Sequence, residues 1–410
     1  MMVQRKRAVA FVLATITLDM VALGIIAPVL PQLILRFLHG QMSHAAEIGG
    51  LFAAVFALMQ LIFSPILGIL SDRFGRKPVI VLSNIGLGLD YFIMAFSPTL
   101  IWLLAGRIIS GITSSSITTV YAYITDVTEP EKRAAAFGLV GASFGVGFII
   151  GPFLGGVFGA IDPRLPFVIA GALSLVNGLY GYFILPESLP PERRTTSIGW
   201  KRAHPFGSLR LLRSHPELFQ LASINFIGYI AHEVFSIWVL YTIFRYAWNT
   251  RAIGLSLALV GVTSVFVSAV LVGRVVARIG ERGALIWGLV FGTAGMFVLG
   301  WASSGWTAMI AILLLSLWGL YGAPAQSLMT QRVSGGEQGE LQGALGSIRS
   351  ITMIGGPPLF AFLFAAGVNV RIPGAPWYLA AALIALSLLL AFRVPRESSA
   401  PVLATEPHGA

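Results

Sequence analysis

The sequence predicts an all-α integral membrane protein with twelve transmembrane helices, arranged as two six-helix bundles. Three observations support this prediction. Hydrophobic residues make up 56% of the 410-residue chain and charged residues only 11%, with a mean hydropathy of +0.83, whereas about a quarter of the residues of a soluble domain are charged. Apolar runs long enough to cross a bilayer recur along the chain. A turn motif in the first half is repeated weakly in the second.

Each predicted helix is an apolar run between charged residues or Pro/Gly breaks. A crossing needs roughly 20 helical residues, and each run meets this length within the few residues by which its ends are uncertain. In chain order the predicted helices cover about residues 8–35, 46–70, 79–97, 99–125, 134–158, 166–184, 218–243, 253–277, 283–302, 306–330, 341–366 and 373–393.

The net charge of +10 follows the predicted topology and does not indicate a nucleic-acid partner. With both ends of the chain in the cytoplasm, most of the 27 Lys and Arg residues fall in loops and tails on the cytoplasmic side. This is the positive-inside distribution of multi-pass membrane proteins. We therefore expect a protein of the plasma (inner) membrane, surrounded by lipid, with both termini cytoplasmic and no nucleic-acid partner.

The domain organisation follows from one long polar stretch, residues 186–214, in which three prolines precede a basic cluster. We interpret it as a cytoplasmic linker between a first bundle, residues 1–185, and a second bundle, residues 215–396. Residues 397–410 form a cytoplasmic tail. The sequence from Gly68 to Lys77 after helix 2 is similar to that from Gly273 to Arg282 after helix 8. Such a repeat is typical of transporters built from duplicated halves.

Cysteine and histidine usage bounds the chemistry. The chain has no cysteine, and its six histidines show no metal-ligand spacing. The missing cysteines exclude disulfides, thiolate metal sites and cysteine nucleophiles. We expect no metal and no cofactor, and we expect the chain to act as a monomer.

Three ionisable residues, Asp19, Asp90 and Arg107, lie inside predicted helices. At ~1.5 Å per helical residue, each lies about 14 to 18 Å from a membrane face, which is near the bilayer midplane. A charge there costs about 2.5 to 3.5 kcal/mol or more, so such residues normally line a cavity or a pathway. We interpret the three residues as a proton-titratable set. The alternative is a static salt bridge between Arg107 and one aspartate.

The balance of membrane-embedded charges supports proton carriage. The acids Asp19, Asp90 and Glu233 are accompanied by only two bases, Arg107 and Arg349. Full ionisation leaves one negative charge unpaired, and protonating one acid removes that cost. Glu233, in the outer third of helix 7, is either an outer proton port or a solvated residue at the cavity mouth. Arg349 is either a cavity charge that attracts an anionic group or a side chain that snorkels to the membrane surface, and we favour snorkelling.

The turn after helix 2 lies at the predicted cytoplasmic surface, so we expect it to act in gating and not in substrate binding. Gly75 permits a tight turn. Asp72 can accept from a helix N-terminus or pair with a neighbouring arginine in one gate state. We interpret the turn as a latch, and the alternative is a solvated loop of charges. The predicted gating residues are Gly68, Asp72, Arg73, Gly75 and Arg76, with Asp126 at the inner end of helix 4 as a candidate partner.

The stretch from Gly68 to Pro78, GILSDRFGRKP, resembles the signature loop of the major facilitator superfamily, and the resemblance covers the whole chain. It implies the major facilitator fold, in which two bundles surround a central cavity. Within that superfamily the chain is similar to the tetracycline/proton antiporter group of drug exporters. The matching stretches are Asp19–Pro31, Ala57–Pro65, Leu89–Ser97, Gly106–Thr113, Gly141–Gly156 and, more weakly, Trp248–Asn249 with Gly254–Ala258, and Leu341–Gly343.

The resemblance assigns roles to two further groups of residues. It implies that Gln60 of helix 2 contacts the drug in the cavity, together with Arg107 and Arg349 as candidate cavity residues; a buried amide that bonds a neighbouring helix is the alternative for Gln60. The small residues of helix 5 allow close backbone approach and a bend, and in the superfamily this pattern marks proton-coupled exporters. They are Gly145, Gly151, Pro152 and Gly155.

The second half departs from the antiporter pattern. The group carries a histidine in helix 8 and an aspartate in helix 9, and Ser264 and Gly292 occupy these positions here. Neither residue carries a proton near neutral pH. Any proton coupling must therefore rest on the first half, with Glu233 as the one further candidate.

We expect a secondary active transporter that works by alternating access. The leading expectation is a proton-coupled exporter of amphipathic, tetracycline-like compounds, with the proton gradient as its energy source. A symporter or uniporter for small organic solutes is the alternative. A membrane enzyme is not expected, because the sequence shows no nucleophile, metal set or polar catalytic cluster.

Overall fold

A computed structural model describes residues 2–129, 133–195, 207–213, 216–334 and 337–394. The regular elements within these ranges are helical. Lys132, residues 196–206 and 214 of the predicted linker, and the predicted tail 397–410 lie outside the described residues.

Sixteen α-helices follow one another in the described parts of the chain. Short 3-10 or π segments, such as Ser114–Ser116 and Val267–Leu271, join consecutive α-helices into longer paths. The α-helices are α1 Met2–Ile26, α2 Leu30–Phe37, α3 Met42–Phe74, α4 Arg76–Ala95, α5 Leu100–Thr113, α6 Ile117–Val127, α7 Arg133–Gly159, α8 Leu165–Ile184, α9 Pro216–His232, α10 Trp238–Tyr246, α11 Thr250–Phe266, α12 Val272–Trp301, α13 Gly305–Ser316, α14 Gly322–Thr330, α15 Gln338–Asn369 and α16 Ala375–Ala391.

Ten helical stretches in the described ranges are long and apolar enough to cross a bilayer. The longest, Thr250–Trp301, is broken at Gly280, whose backbone has φ 74° and ψ 170°. The helix α16 is a further, shorter apolar helix. The predicted all-helical, multi-pass membrane architecture is thus confirmed.

The outer surface of the helices is apolar. Ile101, Phe183 and Trp306 are 77%, 77% and 83% exposed. Large apolar side chains exposed in this way are unfavourable in water, but they are expected where the neighbouring phase is lipid. The helices keep their backbone polar groups bonded within themselves, as a bilayer requires.

Small residues bring α7 close to α1. A Cβ at Gly151 would lie 2.6 Å from the Cα of Gly24, and a Cβ at Gly155 would lie 2.1 Å from the carbonyl oxygen of Ile25. Any larger side chain would therefore force the two helices apart. This contact agrees with the packing role predicted for Gly151 and Gly155, and Pro152 lies within the helix without ending it.

Two faces of the bundle are distinguished here. The basic face is the end at which α3 turns into α4, around Gly75, with Arg73, Arg76 and Lys77 beside it. The opposite face is the other end, where α3 begins. Because Ser43 at the start of α3 bonds Asn369 at the end of α15 (3.2 Å), α15 begins on the basic face.

The two halves of the chain contact each other near the opposite face and along the middle of the helices. The Thr250 hydroxyl donates to Gln32 Oε1 at 2.8 Å. A Cβ at Gly156 of α7 would lie 2.8 Å from the Cα of Gly254 of α11. Deeper along the same pair of helices, a Cβ at Gly145 would lie 3.1 Å from Val265, so this predicted glycine also serves packing between the halves.

Candidate functional site

A polar centre forms where α1, α4 and α8 of the first half meet. The Asn177 amide of α8 donates to Asp19 Oδ1 at 2.8 Å and to the carbonyl oxygen of Thr15 at 3.1 Å. With its nitrogen toward α1, the Asn84 amide of α4 donates to both Asp19 oxygens, at 3.0 and 3.1 Å, while its own oxygen accepts from Asn177 at 3.3 Å. Among the described residues, no Lys or Arg nitrogen lies within 4.0 Å of Asp19.

Asp19 also faces a small cavity. The cavity has a volume of about 40 Å³, enough for a few water molecules. Asn84, Tyr91 and Phe56 line it with Asp19. The carboxylate is therefore held by amides on one side and open to a water-sized space on the other.

Asp90 and Arg107 form a second polar group near this centre. The Ser110 hydroxyl donates to Asp90 Oδ2, while Asp90 Oδ1 has no hydrogen-bond partner in the described structure. The Arg107 guanidinium carbon lies 4.1 Å from the centroid of the Phe56 ring, in a cation–π contact. Within the described residues Arg107 makes no ion pair, and its Nε is buried without a partner. The static salt bridge considered from the sequence is thus not seen there.

The second half contains a much larger cavity of about 500 Å³. Glu233 and Arg349 both line it, a position that supports the cavity interpretation of Arg349 over the favoured snorkelling one. The sequence placed Arg349 by depth alone, and depth does not say which side of α15 faces the interior. Trp318 and Tyr321, whose rings stack at 5.5 Å with an angle of 13°, form an aromatic wall. The serine at the predicted histidine position, Ser264, lines the same cavity.

Glu233 is fixed against α15. A Cβ at Gly356 would lie 2.4 Å from the Glu233 Cβ, so this glycine admits the glutamate side chain. Arg349, on the same helix, acts electrostatically on Glu233. The two side chains form no ion pair within 4.0 Å in the described structure, so both remain available to a ligand.

The space at the predicted aspartate position is already filled. A Cβ at Gly292 would lie 2.6 Å from Cδ1 of Trp318. An aspartate at this position would collide with the indole. The missing acid in helix 9 and the aromatic wall of the cavity are therefore linked through one contact.

Gln60 makes a contact of the kind expected for a helix-bonding amide. Its side-chain amide nitrogen donates to the Ser114 hydroxyl at 3.4 Å, and its backbone carbonyl oxygen accepts from the Ser115 hydroxyl at 3.4 Å. Both serines belong to the 3-10 segment between α5 and α6. These contacts support the structural alternative for Gln60 in this state.

The predicted latch residues meet at the basic face. Arg76 Nη1 lies 2.5 Å from Asp72 Oδ1, and Arg76 Nε lies 3.2 Å from Asp126 Oδ2, so the solvated-loop alternative does not describe this turn. Gly75 has φ 104°, a conformation that disfavours other residues. The Gly68 carbonyl oxygen accepts from Ser71 at 2.7 Å. Arg73 is exposed and lies over the ring of Phe74, 5.4 Å from its centroid.

The helix N-terminus at this turn is capped by a residue that sequence reasoning missed. Glu187, just after α8, accepts from the backbone N–H groups of Arg76 (2.9 Å) and Lys77 (3.3 Å) at the start of α4. A carboxylate at this position is stabilised by the helix dipole. A Cβ at Gly75 would lie 2.2 Å from Glu187 Oε2, so the glycine also makes room for the cap. Asp72 itself pairs with Arg76 and does not cap the helix.

The repeated turn in the second half keeps the geometry but changes the charges. Gly280 has φ 74°, in the same backbone region as Gly75. Glu281, at the position of Arg76, accepts from Ser327 at 2.5 Å and from Gln331, at the position of Asp126, at 3.1 Å. The helix-to-helix contact is therefore retained with the charged pair replaced by a carboxylate and neutral donors.

Asn84 and Asn177 were the main residues missed from the sequence. Each is the one amide side chain of its helix, α4 or α8, and the two residues are 3% and 0% exposed. A buried amide in lipid needs a partner, and pairing intramembrane amides with the intramembrane acids would have suggested them. In the described residues, no group of three His, Asp or Glu side chains comes together as a metal site.

Comparison with known proteins shows the family to which the chain belongs. The sequence profile of the Major Facilitator Superfamily matches residues 12–357. The tetracycline resistance protein of class C from Escherichia coli is 38% identical over 385 residues, covering 93% of this chain and 96% of that protein. The solved human organic anion transporter TETRAN has a TM-score of 0.69 and 24% identity, with 94% and 99% of the two chains covered.

An inward-facing, occupied structure of a bacterial homologue of the human lysosomal transporter Spinster has a TM-score of 0.73 and 18% identity, covering 95% of this chain and 96% of that one. Its likeness concerns the fold. Together with the relatives above and the helical architecture, the profile match over most of the chain shows that this protein is a multi-pass membrane transporter of the major facilitator superfamily.

Proposed function

We propose that the protein is a proton-coupled exporter of amphipathic organic molecules in the plasma (inner) membrane, with both termini cytoplasmic. Twelve crossings form two six-helix bundles: the break at Gly280 divides Thr250–Trp301 into two crossings, and α16 supplies the last. The basic face is then the cytoplasmic face. The contacts between the halves near the opposite face support an inward-facing state.

The observation that carries the proposal is the environment of Asp19. A carboxylate near the bilayer midplane is held by two neutral amides and borders a water-sized cavity, with no ion-pair partner among the described residues. A static structural carboxylate in lipid would be matched by a base. A carboxylate that exchanges a proton has to be stable with and without its charge, and amides, which both donate and accept, suit both forms.

The second-half cavity is the proposed substrate site. Its volume of about 500 Å³ lies within the range typical of small-molecule sites. The stacked Trp318 and Tyr321 offer an aromatic surface, and Glu233 and Arg349 offer one charge of each sign. Glu233 lies where a proton and a cationic substrate group would compete. Similarity to the class C tetracycline resistance protein supports tetracycline-like substrates as the first compounds to test.

A symporter or uniporter remains the second candidate, favoured by one observation. The acid of helix 9 is replaced by Gly292, and Trp318 fills the space. Coupling through the second half would then rest on Glu233 alone.

Proton flux in liposomes separates these functions. Purified protein is reconstituted with a pH-sensitive dye inside, an inside-acid gradient is imposed, and candidate substrates are added outside. Exchange predicts that substrate entry dissipates the internal acidity, whereas symport predicts proton movement in the same direction as substrate. Substrate movement without any proton flux would contradict the proposal. Liposomes with the Asp19→Asn variant control for passive leakage.

A further inference from the structure

The amide network around Asp19 carries an inference that rests on the proposed function and extends it. Asp19 receives an N–H group from Asn177 at 2.8 Å. With the Asn84 nitrogen turned toward α1, which is the assignment that gives both ends of this amide a partner, Asp19 also receives N–H groups from Asn84 at 3.0 and 3.1 Å. Both carboxylate oxygens act only as acceptors here. This is the bonding pattern of an ionised carboxylate, since a protonated one needs an acceptor for its own O–H.

Asn84 can supply that acceptor without moving its backbone. Rotating its amide by half a turn exchanges oxygen and nitrogen, so that the amide oxygen lies 3.0 to 3.1 Å from the Asp19 oxygens. It could then accept an O–H from protonated Asp19. Asn177 cannot exchange as readily, because its nitrogen also donates to the Thr15 carbonyl oxygen at 3.1 Å.

The rotation has a consequence for the partner amide. With the Asn84 nitrogen toward Asp19, the Asn84 oxygen accepts from Asn177 at 3.3 Å. After rotation two N–H₂ groups face each other, and that bond is lost. Protonation of Asp19 therefore removes one contact between α4 and α8 and leaves the contact between α1 and α8 in place.

We propose that Asn84 and Asn177 are positioning residues for the exchanged proton: they hold ionised Asp19 in the inward-facing state, and Asn84 rotates to accept the O–H when Asp19 is protonated. A hydronium ion in the adjoining cavity gives its proton to one Asp19 oxygen, which forms the O–H bond and leaves a neutral water, and the reverse step returns the proton to a cavity water. The orientation of the Asn84 amide on α4 thus depends on whether Asp19 is protonated. Six residues further along, α4 carries Asp90.

The surroundings of Asp19 leave this role to the amides. Ile117 and Val120 of α6 line the cavity, and α7 approaches α1 with Gly147 and Gly151. The titratable or charged groups of the packed helices on this side are Tyr91 of α4, which interacts electrostatically with Asp19, and the pair that Tyr91 also senses, Asp90 of α4 and Arg107 of α5. Of these, only Tyr91 lines the cavity with Asp19, and its hydroxyl has no described hydrogen-bond partner.

The test is an infrared pH titration of purified protein in detergent. The C=O stretch of a protonated carboxylic acid is assigned to Asp19 by its loss in Asp19→Asn. Asn84→Leu removes donors from the ionised form, so the band should persist to a pH higher by about one unit or more, the size of one charge-assisted hydrogen bond. Asn177→Leu should shift it in the same direction. Ser174→Ala, which removes a buried hydroxyl without a partner one turn from Asn177, should leave it unchanged.

A titration of the Asp19 band in Asn84→Leu that matches the wild type would overturn the inference, as would an equal shift in Ser174→Ala. If Asn84→Leu does not fold, Asn177→Leu decides by the same criterion. The liposome flux assay keeps the two proposals apart. Substrate-driven proton flux in the wild type without a shifted band in either variant rejects the positioning role alone. No flux in the wild type rejects proton-coupled export, whatever the infrared titration shows.

Discussion

The polar centre of the first half and the cavity of the second half differ in almost every property. The first is small, about 40 Å³, and its acid Asp19 is bonded by neutral amides. The second is about 500 Å³, walled by aromatic rings, and contains an acid and a base that do not pair with each other in the described structure. The first suits an ion as small as a proton, and the second suits an organic molecule. Under the proposed function, the first half carries the proton and the second half binds the substrate.

The largest effect is expected from Asp19→Asn. The amide keeps the size of the side chain and its bonding capacity but cannot carry a proton, so substrate accumulation against a gradient should be abolished while the protein remains folded. Transport into liposomes under an imposed pH gradient measures this effect. Asp162→Asn, at an exposed loop acid on the opposite face, should behave as the wild type. Uphill transport by Asp19→Asn at the wild-type rate would place the proton elsewhere.

Substitutions of the charged cavity residues should affect binding first. Losing a charged hydrogen-bond partner costs about 1.5 to 3 kcal/mol, so Arg349→Gln or Glu233→Gln should weaken apparent substrate affinity about tenfold or more. Binding titrations on purified protein check this result. Arg251→Gln, at an exposed arginine at the start of α11, is the matched control. Unchanged affinity with lost proton exchange in Glu233→Gln would instead make Glu233 a proton site only.

Gly292→Ala tests whether Trp318 occupies the place of the missing acid. The added Cβ would lie 2.6 Å from the indole, and overpacking of this kind typically costs about 1 to 3 kcal/mol. The thermal unfolding midpoint should fall, and substrate affinity should fall with it because the aromatic wall is displaced. Gly322→Ala, where nothing lies within 4 Å of the new Cβ, should show neither change. Equal stability of the two variants would mean that Trp318 moves freely.

The smallest effects are expected at the basic face. Asp72→Asn and Glu187→Gln each keep the side-chain shape but remove a charge, from Arg76 and from the N-terminus of α4 respectively. An exposed ion pair or a helix-dipole interaction contributes about 0.3 to 1 kcal/mol. We therefore expect each variant to transport a few-fold more slowly, with unchanged substrate affinity. Initial rates and binding curves separate the two quantities, with the exposed Glu192→Gln as control. A large loss of affinity in either variant would contradict a gating role.

The helices and the depths of the embedded charges could be predicted from the sequence, because every bilayer crossing needs about 20 consecutive, mostly apolar residues. The apolar runs and the Gly75 turn follow from composition and spacing, and the sequence offers Asp126 as a candidate partner of that turn. The pairing of Asp126 with Arg76 at 3.2 Å comes from the structure. The glycines of α7 were also readable, since close helix approach in lipid requires small residues.

The partners across helices could not be predicted in the same way. Asn84 and Asn177 join Asp19 from α4 and α8, and nothing local in the sequence brings those three positions together. The same holds for Arg349. Its depth in the membrane could be predicted from spacing, but the side of α15 that faces the cavity could not. The sequence shows that Gly292 replaces the aspartate of the antiporter pattern but gives no reason for it. The structure supplies one, because Trp318 fills the space that the aspartate would need.

The most direct test of the division between the halves is proton release on substrate binding. Purified protein in weakly buffered detergent solution is titrated with substrate while a pH indicator records the released protons. If binding in the second-half cavity is linked to Asp19, the wild type releases protons in proportion to bound substrate, and Asp19→Asn binds substrate but releases none. Equal proton release by the wild type and Asp19→Asn would show that the proton is carried elsewhere, and would contradict the proposed mechanism.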